Sequence, residues 1–347
     1  MSQAGHPRFG MRIPPCAPVP AVADCAVSAE SAGFDTVWIP DSQFLFRDVW
    51  MSLAAVAAAT RTVTLGPCVT NVQTRQVTVT ANAVQTLEEL APGRTVLGIG
   101  TGDSSVKALG LPPSSRAEVR RALETIRRLG AGEPVASDGP AMRLRGATGR
   151  TPSIYLAATG PKVLQLAGEI GDGVLMMAGV APDLLGAALQ HVDVGLATAD
   201  RSRRELDVCL GAVCCLTDSD AETADIVRPH CVGDAQRGAL SAFAAAGVTL
   251  SGPVPQVIPD VYPDITHAEE WGRAAEVARR WVDDEAAHRY AEAFTLVGTV
   301  DQVVGRIEAA VAAGVTSFYL RHHRSYSLPD DLIDAFGSSV IPRLASR

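Results

Sequence analysis

Short apolar runs alternate with longer amphipathic stretches along most of the chain. The apolar runs predict strands at residues 9–14, 36–39, 63–69, 94–99, 153–157, 173–177, 206–216 and 317–321. The amphipathic stretches predict helices at residues 20–32, 48–60, 77–90, 115–129, 161–170 and 300–313, with two more starting after Pro182 and near Asp218. Because a helix separates each strand from the next, the strands are expected to be parallel.

Residues typical of helix ends support these boundaries. Gly33 follows the first predicted helix, and Pro92-Gly93 follows the third. Ser115 and Glu118 have the spacing of a capping box at the start of the fourth. These residues therefore support separate helices between the predicted strands.

Eight strand-helix units in series predict an α/β fold, a single (β/α)8 TIM barrel. The alternative is a doubly wound open sheet. It is disfavoured because no G-x-G-x-x-G pattern follows the first strand and no change of composition marks a second domain. We therefore expect residues 1–347 to form one domain.

One stretch departs from the alternation of predicted strands and helices. From residue 247 to about residue 284 the chain contains Pro253, Pro255, Pro259 and Pro263. We interpret residues 247–290 as an insertion over the barrel mouth, and an excursion on the surface is the alternative. A shorter irregular stretch, residues 134–150, precedes the fifth strand.

Composition narrows the class of protein. Hydrophobic residues make up 47% of the 347 positions and charged residues 20%, which favours a large folded core over disorder. The net charge is −8, and no lysine or arginine cluster indicates a nucleic-acid surface. No apolar run reaches the ~18 residues of a membrane span, and residues 1–15 lack the apolar core of a signal peptide. Seven scattered cysteines without a CxxC pair predict neither disulfides nor a zinc site, so reduced thiols in the cytoplasm are expected.

Polar residues cluster where the predicted strands end, which in such barrels is the side that carries chemistry. Loops are polar in any protein, so each residue alone is a weak indication, whereas several at one end are stronger. They are Cys16, Asp41-Ser42-Gln43, Thr70-Asn71, Gly100-Thr101-Gly102-Asp103, Thr159-Gly160-Pro161-Lys162 and Arg321-His322-His323.

The turn Thr159-Gly160-Pro161-Lys162 opens a helix. Glycine allows close approach to the backbone, proline suits the first helical position, and free N–H groups with the helix dipole favour an anion. Lys162 adds a positive charge. The alternative, equally supported by these residues, is an ordinary turn with a threonine cap.

Three other candidates have simpler explanations. Cys68 is better explained as a small core residue than as a nucleophile, because no histidine neighbours it in sequence. His322-His323 could bind an anion or a metal, but a rim or core position suits them better, since no Asp, Glu or Cys has metal spacing to them. Met176-Met177 suits packing, and no metal site is predicted.

Three segments carry a resemblance to a known family. They are Ala32-Gly33-Phe34-Asp35-Thr36-Val37-Trp38-Ile39-Pro40-Asp41, the run from Leu65-Gly66 through Pro92-Gly93-Arg94 to Gly98-Ile99-Gly100-Thr101-Gly102-Asp103, and Ala157-Ala158-Thr159-Gly160-Pro161-Lys162. Together they resemble the bacterial-luciferase-like superfamily. They are most similar to its deazaflavin branch, which includes methylenetetrahydromethanopterin reductase. The resemblance extends to Phe318-Tyr319-Leu320-Arg321 and leaves out residues 247–290.

The resemblance implies a barrel that holds coenzyme F420, a hydride carrier, at its C-terminal mouth, and often a homodimer. It implies that the cofactor phosphate lies on the backbone of the turn, and that a non-prolyl cis peptide at Cys68-Val69 lies behind the ring. It further implies that Asp41, Thr70, Asn71 and Asp103 surround the ring and its side chain. The residues implied for the phosphate are Ala158, Thr159, Gly160, Lys162 and Val163.

Two positions depart from the family pattern. Gln76-Val77 stands where many relatives have His-Pro. Ser42 follows Asp41 where relatives that oxidise sugar phosphates carry a histidine. An alcohol oxidation that needs a strong general base is therefore disfavoured here.

These expectations combine into one hypothesis, hydride transfer between a reduced deazaflavin and a small organic substrate. Asp41 would position the ring or relay a proton, Ser42 and Asn71 would orient the reactants, and the insertion would exclude water. One alternative is a monooxygenase that uses flavin mononucleotide on the same barrel. A second alternative is a flavin-binding barrel without catalysis.

Overall fold

The computed structural model describes residues 6–345, and its sheet is entirely parallel. Every predicted strand is found. The strands are β1 (Arg8–Arg12), β2 (Thr36–Ile39), β3 (Thr64–Pro67), β4 (Thr70–Asn71), β5 (Val96–Gly100), β6 (Ser153–Ala158), β7 (Gly173–Met176), β8 (Asp207–Leu216), β9 (Leu296–Gly298) and β10 (Ser317–His322).

Helices separate the strands and surround the sheet. Before β8 they are α1 (Val19–Ser31), α2 (Val49–Ala59), α3 (Val77–Leu90), α4 (Ser104–Lys107), α5 (Arg116–Gly130), α6 (Pro161–Ile170) and α7 (Pro182–Thr198). After β8 they are α8 (Asp220–Gln236), α9 (Leu240–Ala245), α10 (Trp271–Ala278), α11 (Asp284–Phe294), α12 (Val300–Ala312), α13 (Asp330–Ser339) and α14 (Ile341–Ala345). The predicted capping box from Ser115 to Glu118 is confirmed.

The strand order is β3-β2-β1-β10-β8-β7-β6-β5-β4. A bridge between Leu65 and Thr95 joins β3 to the start of β5, while β4 pairs with the end of β5. The two ends of the sheet therefore meet, and β3 and β4 act as one broken strand. The predicted α/β barrel is confirmed.

The structure differs from the sequence prediction in two strands. The third predicted strand, residues 63–69, is interrupted after Pro67 and resumes at Thr70. A further strand, β9, pairs with the end of β8 through Leu296 and was not predicted. Three residues between two helices are too few to show a strand pattern.

The core has two layers, because successive strand residues face opposite sides of the sheet. Between strands and helices lie aliphatic residues such as Met11, Ile39 and Leu97. Inside the barrel, Trp38 packs edge-on against Tyr155 and Tyr319, with ring centroids 5.6 and 6.4 Å apart. The interior is thus filled with aromatic side chains.

The helices after β8 form a second apolar cluster. Val227 of α8, Phe243 of α9 and Val277 of α10 are buried in it. The same cluster includes Val213 of β8 and Val297 of β9, so these helices pack at the carboxyl end of β8. Residues 247–290 contribute α10 and the start of α11 to this cluster.

Glycines permit the approach of β3 to β5 where the barrel closes. A Cβ on Gly66 would lie 1.8 Å from the carbonyl oxygen of Val96. On the facing strand, a Cβ on Gly98 would lie 2.4 Å from the carbonyl oxygen of Pro67. No side chain fits between these two backbones.

Gly66→Ala is expected to destabilise the fold by about 1–3 kcal/mol, because the added methyl group overlaps backbone atoms of β5. Urea unfolding followed by circular dichroism measures this change. Gly186→Ala is the matched control, since a Cβ there meets nothing within 4 Å. Gly186 lies in α7, and alanine at this helical position is expected to stabilise the protein by about 0.5–1 kcal/mol. A Gly66→Ala variant as stable as the control would contradict the close approach of β3 and β5.

Candidate functional site

The carboxyl ends of the strands bring the predicted site residues to one mouth of the barrel. Asp41 follows β2, Thr70 and Asn71 form β4, Asp103 follows β5, and the turn at Gly160 follows β6. Because all strands run parallel, these loops share one end of the molecule.

The backbone between β3 and β4 has an unusual geometry. The peptide bond from Cys68 to Val69 is cis, as the resemblance predicted. Cys68 is buried in the barrel interior, while Val69 is half-buried at the mouth. Burial raises the pKa of the Cys68 thiol to about 12. Cys68 is therefore protonated at neutral pH, which agrees with a packing role for its side chain rather than with a nucleophile.

Asp41 is the most buried carboxylate at the mouth, with 8% of its side chain exposed. The Thr70 hydroxyl donates a hydrogen bond of 2.8 Å to its Oδ2. Arg75 Nη2 lies 3.6 Å from Asp41 Oδ1 and 2.8 Å from Asp48 Oδ2. Burial raises the pKa of Asp41 above 3.8, and the contacts with Thr70 and Arg75 oppose that rise. Asp41 is thus a carboxyl group that can hold or release a proton.

Asn71 fixes the shape of the mouth. Its Oδ1 accepts hydrogen bonds of 2.9 Å from the backbone N–H groups of Gln73 and Thr74. Its Nδ2 donates a 3.1 Å hydrogen bond to the Ser105 hydroxyl in α4. The amide is therefore occupied in joining the β4 loop to α4, so Asn71 positions neighbouring groups.

Ser42 has a similar place in the loop after β2. It is buried, and its hydroxyl accepts a 3.2 Å hydrogen bond from Ser104 of α4. Its carbonyl accepts the backbone N–H groups of Leu45 and Phe46 at 3.0 and 2.9 Å. Ser42 and Asn71 thus both connect to α4, although the sequence does not show that connection.

Asp103 lies at the rim. Its carboxylate is 59% exposed and pairs with Lys107 at 2.5 Å. Its carbonyl accepts the backbone N–H groups of Val106 and Lys107 at the start of α4. Asp103 is thus exposed to solvent, whereas Ser42, Thr70 and Asn71 are buried.

The turn after β6 has the features of an anion site. Gly160 precedes the first residue of α6, and no side chain caps this helix. The predicted alternative of a threonine cap is therefore wrong. A Cβ on Gly160 would meet nothing within 4 Å, and Thr159 and Lys162 are exposed. Ala158 is buried beneath the turn and Val163 is half-buried in the first helical turn. The turn at the start of α6 is therefore open to an approaching group, although the N–H groups of Val163 and Leu164 already donate to the Gly160 carbonyl.

Three arginines at the mouth are absent from the sequence-based site. Arg75 is the partner of Asp41, and Arg12 and Arg321 lie at the ends of β1 and β10. A charged residue between apolar neighbours, as Arg12 is between Met11 and Ile13, is the signal that could have identified it. Arg321 was noted only as the first residue of the loop after the last strand.

No cluster of three or more His, Cys, Asp or Glu side chains within residues 6–345 could hold a metal ion. In that same part of the chain, no helix is both long and apolar enough to cross a membrane.

Comparisons with known proteins agree with this architecture. The model of the family described as luciferase-like monooxygenases matches residues 4–317. The 5,10-methylenetetrahydromethanopterin reductase of Archaeoglobus fulgidus is 34% identical over 330 residues, which cover 91% of this chain and 93% of that protein. The F420-dependent glucose-6-phosphate dehydrogenase of Beutenbergia cavernae is 30% identical over 345 residues, 92% of each chain.

A solved structure supports the fold. The coenzyme F420-dependent tetrahydromethanopterin reductase from Methanopyrus kandleri superposes with a TM-score of 0.77 at 23% identity. The match covers 98% of this chain and 100% of that chain. The barrel and its added helices therefore have a close structural counterpart.

The charges around Asp41 generate a prediction about its titration. Arg75→Met is expected to raise the pKa of Asp41 further, because it removes a positive charge that favours the carboxylate. Asp48→Asn is the opposite control and is expected to lower the pKa, since it removes a neighbouring negative charge and asparagine still caps α2. Carbon-13 NMR of the carboxyl group, assigned with Asp41→Asn, measures both shifts. Shifts of the same sign would contradict this arrangement.

The raised pKa of Asp41 also determines whether the protein gains or loses stability as the pH rises. The folded pKa of Asp41 lies above its ordinary value of 3.8, so the fold favours the protonated form. This contribution is complete below pH 3.8 and is lost as the pH rises through the folded pKa. The stability of Asp41→Asn relative to the native protein is therefore expected to increase over that window, as measured by urea unfolding at several pH values. A constant difference would show that Asp41 does not titrate as described.

Proposed function

The chain belongs to the luciferase-like monooxygenase family, and we propose that it is a cytoplasmic F420-dependent oxidoreductase. It transfers a hydride between the deazaflavin and a small organic substrate at the barrel mouth. The observation that carries this proposal is the relatedness over most of the chain, at 30–34% identity, to two proteins named for methylenetetrahydromethanopterin reduction and F420-dependent dehydrogenation.

The residues after β6 suit the phosphate of such a cofactor. The open space at Gly160 lets an anion approach the uncapped start of α6, where backbone N–H groups and the helix dipole favour negative charge. Exposed Lys162 adds a positive charge, and exposed Thr159 offers a hydroxyl. Ala158 and Val163 would complete the turn around the phosphate.

The cis peptide from Cys68 to Val69 would support one face of the ring. Bound F420 would supply or accept the hydride, and the chain would supply orientation and a site without bulk water. Thr70 and Asp41 flank this peptide through their mutual hydrogen bond. Asp103 at the rim would lie beside the side chain of the cofactor.

Asp41 is the residue we assign to proton handling. Its burial raises its pKa, and Arg75 and Thr70 hold its two oxygen atoms in fixed directions. A carboxyl group in that state can hold a proton at Oδ1 or Oδ2 and return it to the substrate. Arg75 is a positioning residue, since it acts through Asp41.

Ser42 and Asn71 hold the loops that carry Asp41 and Thr70 in fixed positions. Both are hydrogen-bonded to α4, so the loops after β2, β4 and β5 move as one unit. We propose that residues 247–290, together with α8 and α9, form the lid that excludes water. Their packing on the carboxyl end of β8 supports that position.

A fluorescence titration with F420 and, separately, with flavin mononucleotide tests the proposal. Native protein is expected to bind F420 in the micromolar range and flavin mononucleotide much more weakly. Binding of flavin mononucleotide alone would replace the proposal with a flavin monooxygenase. Binding of neither would leave no support for a flavin-type enzyme.

Gly160→Asp tests the phosphate turn. The variant is expected to weaken F420 binding by at least about a hundredfold, because like charges in contact cost several kcal/mol. The backbone at Gly160 has φ −91°, and its surroundings are open, so the fold should be unaffected. Gly146→Asp adds the same charge at another open glycine and should bind F420 normally. Unchanged affinity in Gly160→Asp would assign the phosphate elsewhere.

We also propose that the protein is a homodimer, with the first turns of α2 and α3 at the interface. Met51 and Val79 in these turns are 68% and 56% exposed. Light scattering is expected to give about twice the chain mass of 36.3 kDa. Met51→Glu should yield a monomer, and Leu240→Glu, at a site of similar exposure on α9, should not. A native monomer would reject this proposal.

A further inference from the structure

Two arginines face the interior of the barrel mouth on neighbouring strands. In the register of β1 with β10, Met11 pairs with Leu320, so Arg12 and Arg321 occupy the next position. Met11 and Leu320 belong to the outer layer of the core. Because side chains alternate along a strand, both arginines lie on the inner side.

Neither arginine has an acidic partner among residues 6–345. Arg12 is 6% exposed, its Nη1 donates to the carbonyl of Ser325 at 3.1 Å, and its guanidinium lies 5.2 Å from the centroid of the Phe46 ring. The Nε of Arg321 is buried without a hydrogen-bond partner. Burial and the charge of Arg321 lower the pKa of Arg12.

Another buried arginine of this chain, unlike Arg12 and Arg321, has acidic partners. Arg228 of α8 is 2% exposed and forms ion pairs with two carboxylates, Asp225 and Asp284. A buried guanidinium without a counter-ion is costly, because the low dielectric of the interior does not screen its charge. The missing negative charge beside Arg12 and Arg321 therefore points to a ligand.

Three rings next to these arginines also carry unused polar atoms. His230 Nε2 donates to the carbonyl of His323 at 3.0 Å, which leaves its Nδ1 as an acceptor without a partner. The Nδ1 of His323 and the Nε1 of Trp271 are likewise buried without partners. The Trp271 ring lies 5.0 Å from that of His230 and 5.9 Å from that of His323, measured between centroids.

Neither histidine contributes charge, and only His323 can offer a hydrogen bond to an anion, because the free Nδ1 of His230 is an acceptor. Burial, reinforced by Arg321, lowers the pKa of His230, and burial together with His322 lowers the pKa of His323 to about 3. Both rings are therefore neutral at physiological pH. The positive charge comes from the two guanidinium groups, whose flat donor arrays match the two oxygens of a carboxylate or phosphate.

We propose that Arg12, Arg321, His323 and Trp271 form an oxyanion pocket that binds a carboxylate or phosphate group of the substrate, with the His230 ring packed against Trp271. This inference rests on the proposed function for the identity of the second reactant. The substrate is thereby an organic anion, held by one end while its reactive carbon extends over the ring.

The pocket is separate from the phosphate turn. Around the barrel, β6 is four strands from β1 when β3 and β4 are counted as one, and three strands from β10. The turn and the pocket thus lie on opposite walls. Both arginines act on the Cys68 thiol, where their charges oppose the effect of burial on its pKa. An anion in the pocket therefore lies beside the cis peptide that we assign to the ring.

Anion binding can be measured without the phosphate turn. In the Gly160→Asp background, calorimetric titration with benzoate and with inorganic phosphate is expected to show one site per chain. Adding Arg321→Met should weaken binding about tenfold to a hundredfold, because a charge-assisted pair is lost. Arg321→Lys should recover part of the affinity. Arg289→Met, at an exposed arginine paired with Glu285, is the matched control and should bind normally. Absence of an Arg321-dependent site would overturn the inference.

A second arm separates substrate from cofactor. In otherwise native protein, Arg321→Met is expected to bind F420 with the affinity of the native chain. If it loses F420 and anion binding together, the pocket serves the cofactor and the inference is wrong, while the proposed function stands. If F420 does not bind native protein but the Arg321-dependent anion does, the proposed function fails and the pocket remains.

Should Arg321→Met fail to fold, Trp271→Phe answers the same question. It keeps the ring and removes the Nε1–H donor, so several-fold weaker anion binding with native unfolding behaviour is expected. Unchanged anion affinity in this variant, at native stability, would overturn the part assigned to Trp271 and with it the pocket.

Discussion

The closure of the sheet between β3, β4 and β5 is the constraint on which the mouth depends. Gly66 and Gly98 let the two backbones meet, and the strand then breaks at the cis peptide from Cys68 to Val69 before β4 resumes. This break carries Thr70 toward Asp41 and Asn71 toward α4. The loops after β2, β4 and β5 are therefore arranged by the way in which the barrel closes.

Charge is distributed unevenly around that mouth. On one side, buried Asp41 is balanced by Arg75, which also holds Asp48. On the wall formed by β1 and β10, Arg12 and Arg321 have no such balance. The turn at Gly160 presents backbone dipoles, the Thr159 hydroxyl and Lys162. The proposed hydride transfer needs two reactants held at a fixed distance, and the two proposed anion sites on opposite walls would meet that need.

The sequence predicted most of the barrel because each strand is buried on both faces and thus forms a continuous apolar run. It predicted neither β9, which has three residues, nor α10, which follows a proline-rich stretch that obscures the helical period. Asp41, Thr70 and Asn71 are indicated both by their place at predicted strand ends and by the resemblance to a family, whereas no sequence pattern marks Arg75 as the partner of Asp41. Arg12 and Arg321 become neighbours only when the first and last strands of the barrel pair, and a local pattern cannot show that.

The aromatic filling of the barrel interior by Trp38, Tyr155 and Tyr319 has a kinetic consequence. Because these side chains fill the interior, the proposed cofactor and substrate would both enter through the mouth. Whichever molecule lies deeper must arrive first and depart last. A single entrance would thus impose an ordered binding mechanism on the proposed reaction, and steady-state inhibition patterns would reveal that order.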